Sequence, residues 1–153
     1  MIYQQTLQTP IGQIIVGADD TAVFQIVILD EIVANNPNEL TKQCVQELQE
    51  YFEGNRAVFS FPMRLRGTPF QQKVYRALAT IGFGQSISYG ELAKLAGFPR
   101  ASRAVGHAMN QNRLVIAIPC HRVLAAHHHL GGFGGGEDLK MWLLNHEGIV
   151  FVK

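Results

Sequence analysis

The sequence predicts an α/β chain in two parts: a small antiparallel sheet with one helix, then a helical region that contains a helix-turn-helix. Three observations lead there. The first 29 positions read as strand-like segments punctuated by turn residues. Three helix-start signatures follow, at Asn36, Thr68 and Ser88. Between the first two, Arg64-Leu65-Arg66-Gly67 reads as a join, so the parts are expected at residues 1–64 and 65–153.

In order along the chain, Ile2 to Leu7, Gln13 to Ala18 and Ala22 to Leu29 read as three strands. Thr9-Pro10-Ile11-Gly12 and Asp19-Asp20 supply the turns. Asn36 is the expected cap of the first helix, with Pro37 at its first position and Glu39 closing a capping box. Leu40, Cys44, Leu48, Tyr51 and Phe52 form its apolar stripe, and Gly54 stops it. Cys44 lies on that stripe and is read as a packed core thiol. Thr68-Pro69-Phe70-Gln71 opens a second helix with Phe70, Val74, Leu78 and Ile81 on one side. Ser88-Tyr89-Gly90-Glu91 opens a third, ending at Gly97, and Pro99 is expected to begin a fourth that runs to about Met109. Two short helices around a Gly-Phe-Pro turn make the helix-turn-helix pattern. Arg100, Arg103 and His107 recur at three and four residues, a basic face suited to a duplex. Leu114 to Ile118 reads as an apolar strand that ends at Cys120. A His- and Gly-rich loop follows, and Glu137-Asp138 begin a last helix, which Gly148 stops.

Charge is distributed unevenly behind a net charge of +1. Residues 1–60 carry eight acids against two bases, whereas residues 61–136 carry nine bases against Glu91 alone. A basic C-terminal part suits a polyanion better than a small neutral substrate. No apolar run approaches the roughly 20 residues that cross a bilayer, so no membrane partner is expected. The first residues carry no basic-then-apolar leader pattern. Two cysteines without CxxC spacing make a disulfide framework unexpected and point to a reducing, cytoplasmic compartment.

Chemistry concentrates in Pro119-Cys120-His121-Arg122-Val123. A cysteine beside a histidine is a candidate nucleophile, because the thiolate attacks and a neighbouring base can remove its proton. From Gly67 to Gly148 the chain resembles the O6-alkylguanine-DNA alkyltransferases, also called methylated-DNA–protein-cysteine methyltransferases. The matching pieces stand in order: Gly67-Thr68-Pro69-Phe70-Gln71, Ser88-Tyr89-Gly90-Glu91-Leu92-Ala93, Arg103-Ala104-Val105-Gly106, Asn112, Ile118-Pro119-Cys120-His121-Arg122-Val123 and Leu143-Leu144-Asn145-His146-Glu147-Gly148.

The resemblance implies a small ribonuclease-H-like sheet-and-helix domain joined to a winged-helix domain. It implies irreversible, single-turnover transfer of an alkyl group from O6-alkylguanine in duplex DNA, and leaves open whether O4-alkylthymine is a second substrate. Cys120 would accept the alkyl group after the base flips out of the duplex. His121 would deprotonate it through a bridging water, and Glu147 would orient the imidazole. Asn112 would brace the active-site turn, and Tyr89 would donate to guanine N3. Arg103 would fill the space left by the base, with Arg100, Ser88 and Arg122 as further DNA contacts. The Val123 carbonyl and the backbone around Gly134 would read the guanine edge in a pocket that includes Phe133 and Pro119. No cofactor or metal is implied, and the protein would act as a monomer.

Three positions depart from the family pattern: Arg113 where proline is usual, Phe133-Gly134 where a tyrosine with Ser or Ala is common, and Tyr75 where tryptophan is frequent. Other readings of the same residues are a cysteine hydrolase built on Cys120, His121 and Glu147, a winged-helix transcription factor, and a lesion-binding protein without transfer.

Overall fold

A computed structural model describes residues 1–132 and 136–153. The chain divides into two units, Met1–Leu65 with Arg113–Val115, and Arg66–Asn112 with Ile116–Lys153.

In the first unit, β1 (Tyr3–Thr9), β2 (Gly12–Ala18) and β3 (Val23–Ile28) form an antiparallel sheet in that order. Thr9 pairs with Gly12 across Pro10-Ile11, and Gly12, directly after those two residues, takes a positive φ of 111° that glycine tolerates. Ile14 and Val16 of the central strand are fully buried, and α1 (Glu39–Phe52) packs on the sheet through Cys44, Leu48 and Tyr51. Cys44 is thus the core thiol that its position on the stripe predicts.

The start of α1 is displaced from the expected place. Asn38, not Asn36, caps it: its side chain accepts from the Thr41 amide at 2.9 Å, and the Thr41 hydroxyl accepts from the Asn38 amide at 2.9 Å. Thr41, not Glu39, completes this reciprocal box. Asn36 instead pairs with Gln4 at the sheet edge through two backbone bonds.

In the second unit, α2 (Pro69–Leu78) and α3 (Tyr89–Leu95) begin at the expected caps, each with both bonds of its capping box formed. The end of α3 is a complete left-handed stop. Gly97 (φ 94°) donates to the Lys94 carbonyl, and Phe98 donates to the Ala93 carbonyl.

The next helix, α4, spans Ser102–Asn110 and starts three residues later than expected, because Pro99 and Arg100 are used in the turn after that stop. Arg100 therefore lies off the helix, whereas Arg103 and His107 remain exposed one turn apart. α3 packs on both α2 and α4. β4 (Ile87–Ser88) pairs in parallel with β5 (Val123–Leu124), and α5 (Glu137–His146) closes the unit. No helix among the described residues is long and apolar enough to cross a membrane.

Candidate active site

Cys120, His121 and Arg122 form a single 3₁₀ turn entered through buried Pro119. Three residues per turn send their side chains in three directions, yet all three are buried, at 5%, 0% and 5% exposure.

The approach to this turn corrects the expected strand over Leu114–Ile118. Leu114 bridges to Ile26 in the first unit, and Ile116 turns the chain in a left-handed conformation (φ 72°). That conformation costs a β-branched residue roughly 1–2 kcal/mol. Burial of Ile116 and Ile118 and a 2.8 Å bond from Asn112 Nδ2 to the Ile118 carbonyl hold the turn. Asn112 thus ties its own segment to the residue two places before Cys120.

Glu147 is the C-cap residue of α5. Gly148 (φ 73°) donates to the Asn145 carbonyl and Ile149 to the Leu144 carbonyl, so the helix stop fixes where the carboxylate emerges. An anion at this end opposes the helix dipole, and its partners offset that cost. His121 Nε2 lies 2.7 Å from Oε2. Arg122 donates from Nε to Oε1 (2.7 Å) and from an Nη to Oε2 (3.0 Å), and the Gly84 amide donates to Oε1 (3.2 Å).

An ionised carboxylate only accepts, so His121 Nε2 carries the proton and Nδ1 keeps its lone pair. Nδ1 is buried with no hydrogen-bond partner in the protein. Burial lowers the basicity of His121, against the pull of Glu147 in the other direction. Burial likewise raises the pKa of the Cys120 thiol, against a hydrogen bond from Asn112 and the charge of Lys140, both of which favour the thiolate. The pair rests as neutral thiol and neutral imidazole.

The parallel pairing of Ile87 with Val123 and Ser88 with Leu124 carries Tyr89 to the same cluster. Ser88 is engaged as the cap of α3, which sets Tyr89 at the first helical position. The Tyr89 hydroxyl donates to the Gly132 carbonyl at 3.4 Å. Its ring lies against Gly131 (φ 69°), where an added Cβ would come within 3.3 Å of it. Burial, and then the charge of Cys120, raise the Tyr89 pKa. Tyr75, in the place where tryptophan is frequent, donates to the Ala108 carbonyl at 2.7 Å, and its pKa is pushed up to about 12 by burial and then by Cys120.

Not every expected role survives this geometry. Arg122 does not face solvent. Its guanidinium is committed to Glu147 and, through Nη1, to the Ile81 carbonyl at 2.6 Å, so the expected DNA contact is replaced by an internal brace. Arg103 and Arg100 are exposed on the surface, apart from the buried cluster. Val123 is buried, and its carbonyl already accepts from Lys140. Phe133 and Gly134 lie outside the described residues. Sequence reasoning missed Lys140 and the pairing of Arg122 with Glu147, because neither carries a local spacing signal.

The family model for the 6-O-methylguanine DNA methyltransferase DNA-binding domain matches residues 69–149, and the model for the ribonuclease-like domain of the same proteins matches residues 2–65. The chain belongs to the 6-O-methylguanine DNA methyltransferase family. The expected fold class, a ribonuclease-like sheet-and-helix unit followed by a DNA-binding unit, agrees with both matches. Among relatives of the methyltransferase, the constitutive methylated-DNA–protein-cysteine methyltransferase of Bacillus subtilis is 39% identical, covering 99% of this chain and 98% of its own. The methylated-DNA–protein-cysteine methyltransferase of Methanosarcina acetivorans is 36% identical, covering 96% and 99%. The crystal structure of the Mycobacterium tuberculosis O6-methylguanine methyltransferase superposes with a TM-score of 0.86 at 37% identity, covering 96% of this chain and 93% of that one. A crystal structure of that organism's OGT in complex with DNA gives the same TM-score and identity over 94% and 91%.

Proposed function

We propose that this methyltransferase repairs DNA by direct reversal, moving the alkyl group of O6-alkylguanine onto Cys120 once and irreversibly. The observation that carries the reading is the buried Cys120-His121 turn with Glu147 2.7 Å from His121 Nε2, which leaves the lone pair of Nδ1 as the base. The Cys120 proton passes through a bridging water to Nδ1. The sulfur attacks the alkyl carbon, the carbon–O6 bond breaks, and its electron pair stays on the guanine. Tyr89 turns its one O–H from the Gly132 carbonyl to N3 as negative charge builds on the base. The thioether that forms has no route back to thiol, so each molecule acts once, and no step requires a cofactor.

A stacked base cannot present its O6 substituent to a buried thiol. The nucleotide rotates by about 180° into the site at a cost of a few kcal/mol. Exposed Arg103 on α4 fills the vacated space, and Arg100 joins it in offsetting the cost through phosphate contacts. The Val123 carbonyl accepts from Lys140 and uses its second lone pair to read the guanine edge beside Pro119. The protein works as a monomer, and its setting is the cytoplasm.

Incubation with duplex DNA containing O6-methylguanine should add one methylene-sized mass to the Cys120 peptide, one per protein molecule. Repeated turnover on an ester or amide substrate would instead make the site a hydrolase. Arg103→Ala should slow transfer from duplex DNA by about tenfold or more, a loss comparable to the flipping cost. Its reaction with free O6-benzylguanine should be unchanged, and equal losses on both substrates would remove the finger role.

A further inference from the structure

The carboxylate that sets the His121 proton is itself held by a loop outside the Cys120-His121 segment. Residues 79–86 join α2 to β4, and two of their backbone groups reach the buried ions, one to each. The Ile81 carbonyl accepts from Arg122 Nη1 at 2.6 Å, and the Gly84 amide donates to Glu147 Oε1 at 3.2 Å. The loop is fastened by its own turn. The Gly82 amide donates to Gln85 Oε1 at 2.9 Å, and the Gln85 amide donates to the Gly82 carbonyl at 3.0 Å. The Phe83 ring stands edge-on to His146, the residue before Glu147, with 6.2 Å between centroids. Gly84 has a φ of 80°, and a Cβ added there would meet only the Glu147 carbonyl oxygen, at 3.5 Å. Backbone conformation, not lack of space, therefore calls for glycine at this point.

We propose that Gly84 is a positioning residue for the transfer: its amide fixes the plane of the Glu147 carboxylate so that Oε2 stays on His121 Nε2. Arg122 spans both carboxylate oxygens, and its second donor competes with His121 for Oε2, at 3.0 Å against 2.7 Å. A glutamate carboxylate turns easily about its last bond. A turn that favours Arg122 would draw Oε2 out of line with the imidazole. A donor on Oε1, the oxygen His121 does not use, resists that turn, and its bond to an ionised acceptor is of the strong, charge-assisted kind. The Ile81 carbonyl holds the guanidinium from its other side, so one short loop restrains both partners of the ion pair. The α2–β4 loop thereby governs which imidazole nitrogen carries the proton.

The role in transfer rests on the function proposed above, but the hold of Gly84 on the imidazole does not. Gly84→glycolate, an ester linkage introduced by nonsense suppression, removes the donor and keeps the shape. The same exchange at Gln85, to its α-hydroxy analogue, loosens the turn but spares the Gly84 donor. In the parent, the imidazole nitrogen resonances of His121 should show a bare Nδ1 and a protonated Nε2. In Gly84→glycolate the two should move toward each other as the other tautomer gains, and in the Gln85 ester they should stay in place. Single-turnover transfer from O6-methylguanine duplex and from free O6-benzylguanine should slow equally in Gly84→glycolate, by about tenfold, the worth of one hydrogen bond to a charged group. Affinity for undamaged duplex should not change. Unmoved His121 resonances in a folded Gly84→glycolate protein overturn the proposal, as does equal slowing by both esters. If that protein does not fold, the Gly84 amide proton decides. It should move upfield in Glu147→Gln by more than the Gln85 amide proton, and equal shifts overturn the proposal. If no protein in the series transfers from either substrate, the repair reading has failed, and the His121 resonances still decide the role of Gly84.

Discussion

Cys120→Ala is expected to abolish alkyl transfer while leaving affinity for undamaged duplex DNA within about twofold and stability within about 1 kcal/mol. The substitution removes one buried sulfur and touches none of the exposed basic residues. Arg103 and Arg100 are surface residues, and the bonds among His121, Arg122 and Glu147 do not pass through the sulfur. The same chain supplies a control in Cys44. That thiol is also fully buried, and burial, with Glu47 nearby, raises its pKa. Intact-mass measurement after incubation with O6-methylguanine duplex should show no gain in Cys120→Ala, and a gel-shift titration should show retained binding. A methyl gain on Cys44 or any other residue of the variant would sink the assignment.

The second large effect is expected at Glu147. Its carboxylate meets His121, both donors of Arg122 and the Gly84 amide inside the protein. Glu147→Ala strands the Arg122 charge in the interior and should destabilise the protein by roughly 3–5 kcal/mol. Glu147→Gln keeps the shape but removes the charge that fixes the proton on Nε2. The imidazole can then present a proton to Cys120 in place of a lone pair. Transfer should fall on the order of 10²- to 10⁴-fold, the range that loss of an orienting carboxylate produces in other nucleophile–base pairs. Urea midpoints separate the stability loss from the single-turnover rate. If Glu147→Gln transfers within about threefold of the parent, the carboxylate does not govern the proton on His121.

Much of the fold was legible because it is written locally. Thr68 with Gln71 and Ser88 with Glu91 are short-range reciprocal pairs, and Gly97 and Gly148 end helices by their own backbone freedom. Where three asparagines compete, as in Asn35-Asn36-Pro37-Asn38, local chemistry is ambiguous, and the winner is the one whose partner, Thr41, can return the bond. The run Leu114–Ile118 shows the limit of hydropathy. Five apolar residues announce burial but not conformation, and a left-handed Ile116 breaks the strand. Positions 120, 121, 147, 112 and 89 were legible only through the family resemblance, since Cys-His alone is common. Arg122 and Lys140 were not legible at all. A basic letter reads as surface, and only a carboxylate 25 residues away or two backbone carbonyls reveal that the charge lies inside.

The 5% exposure of Cys120 bears on how long a molecule stays useful. A protein that can react only once is disarmed by any stray oxidant or electrophile that reaches its sulfur first. Keeping that atom covered and protonated until a base is inserted lets the molecule wait, so its working lifetime is set by encounters with lesions and not by background wear.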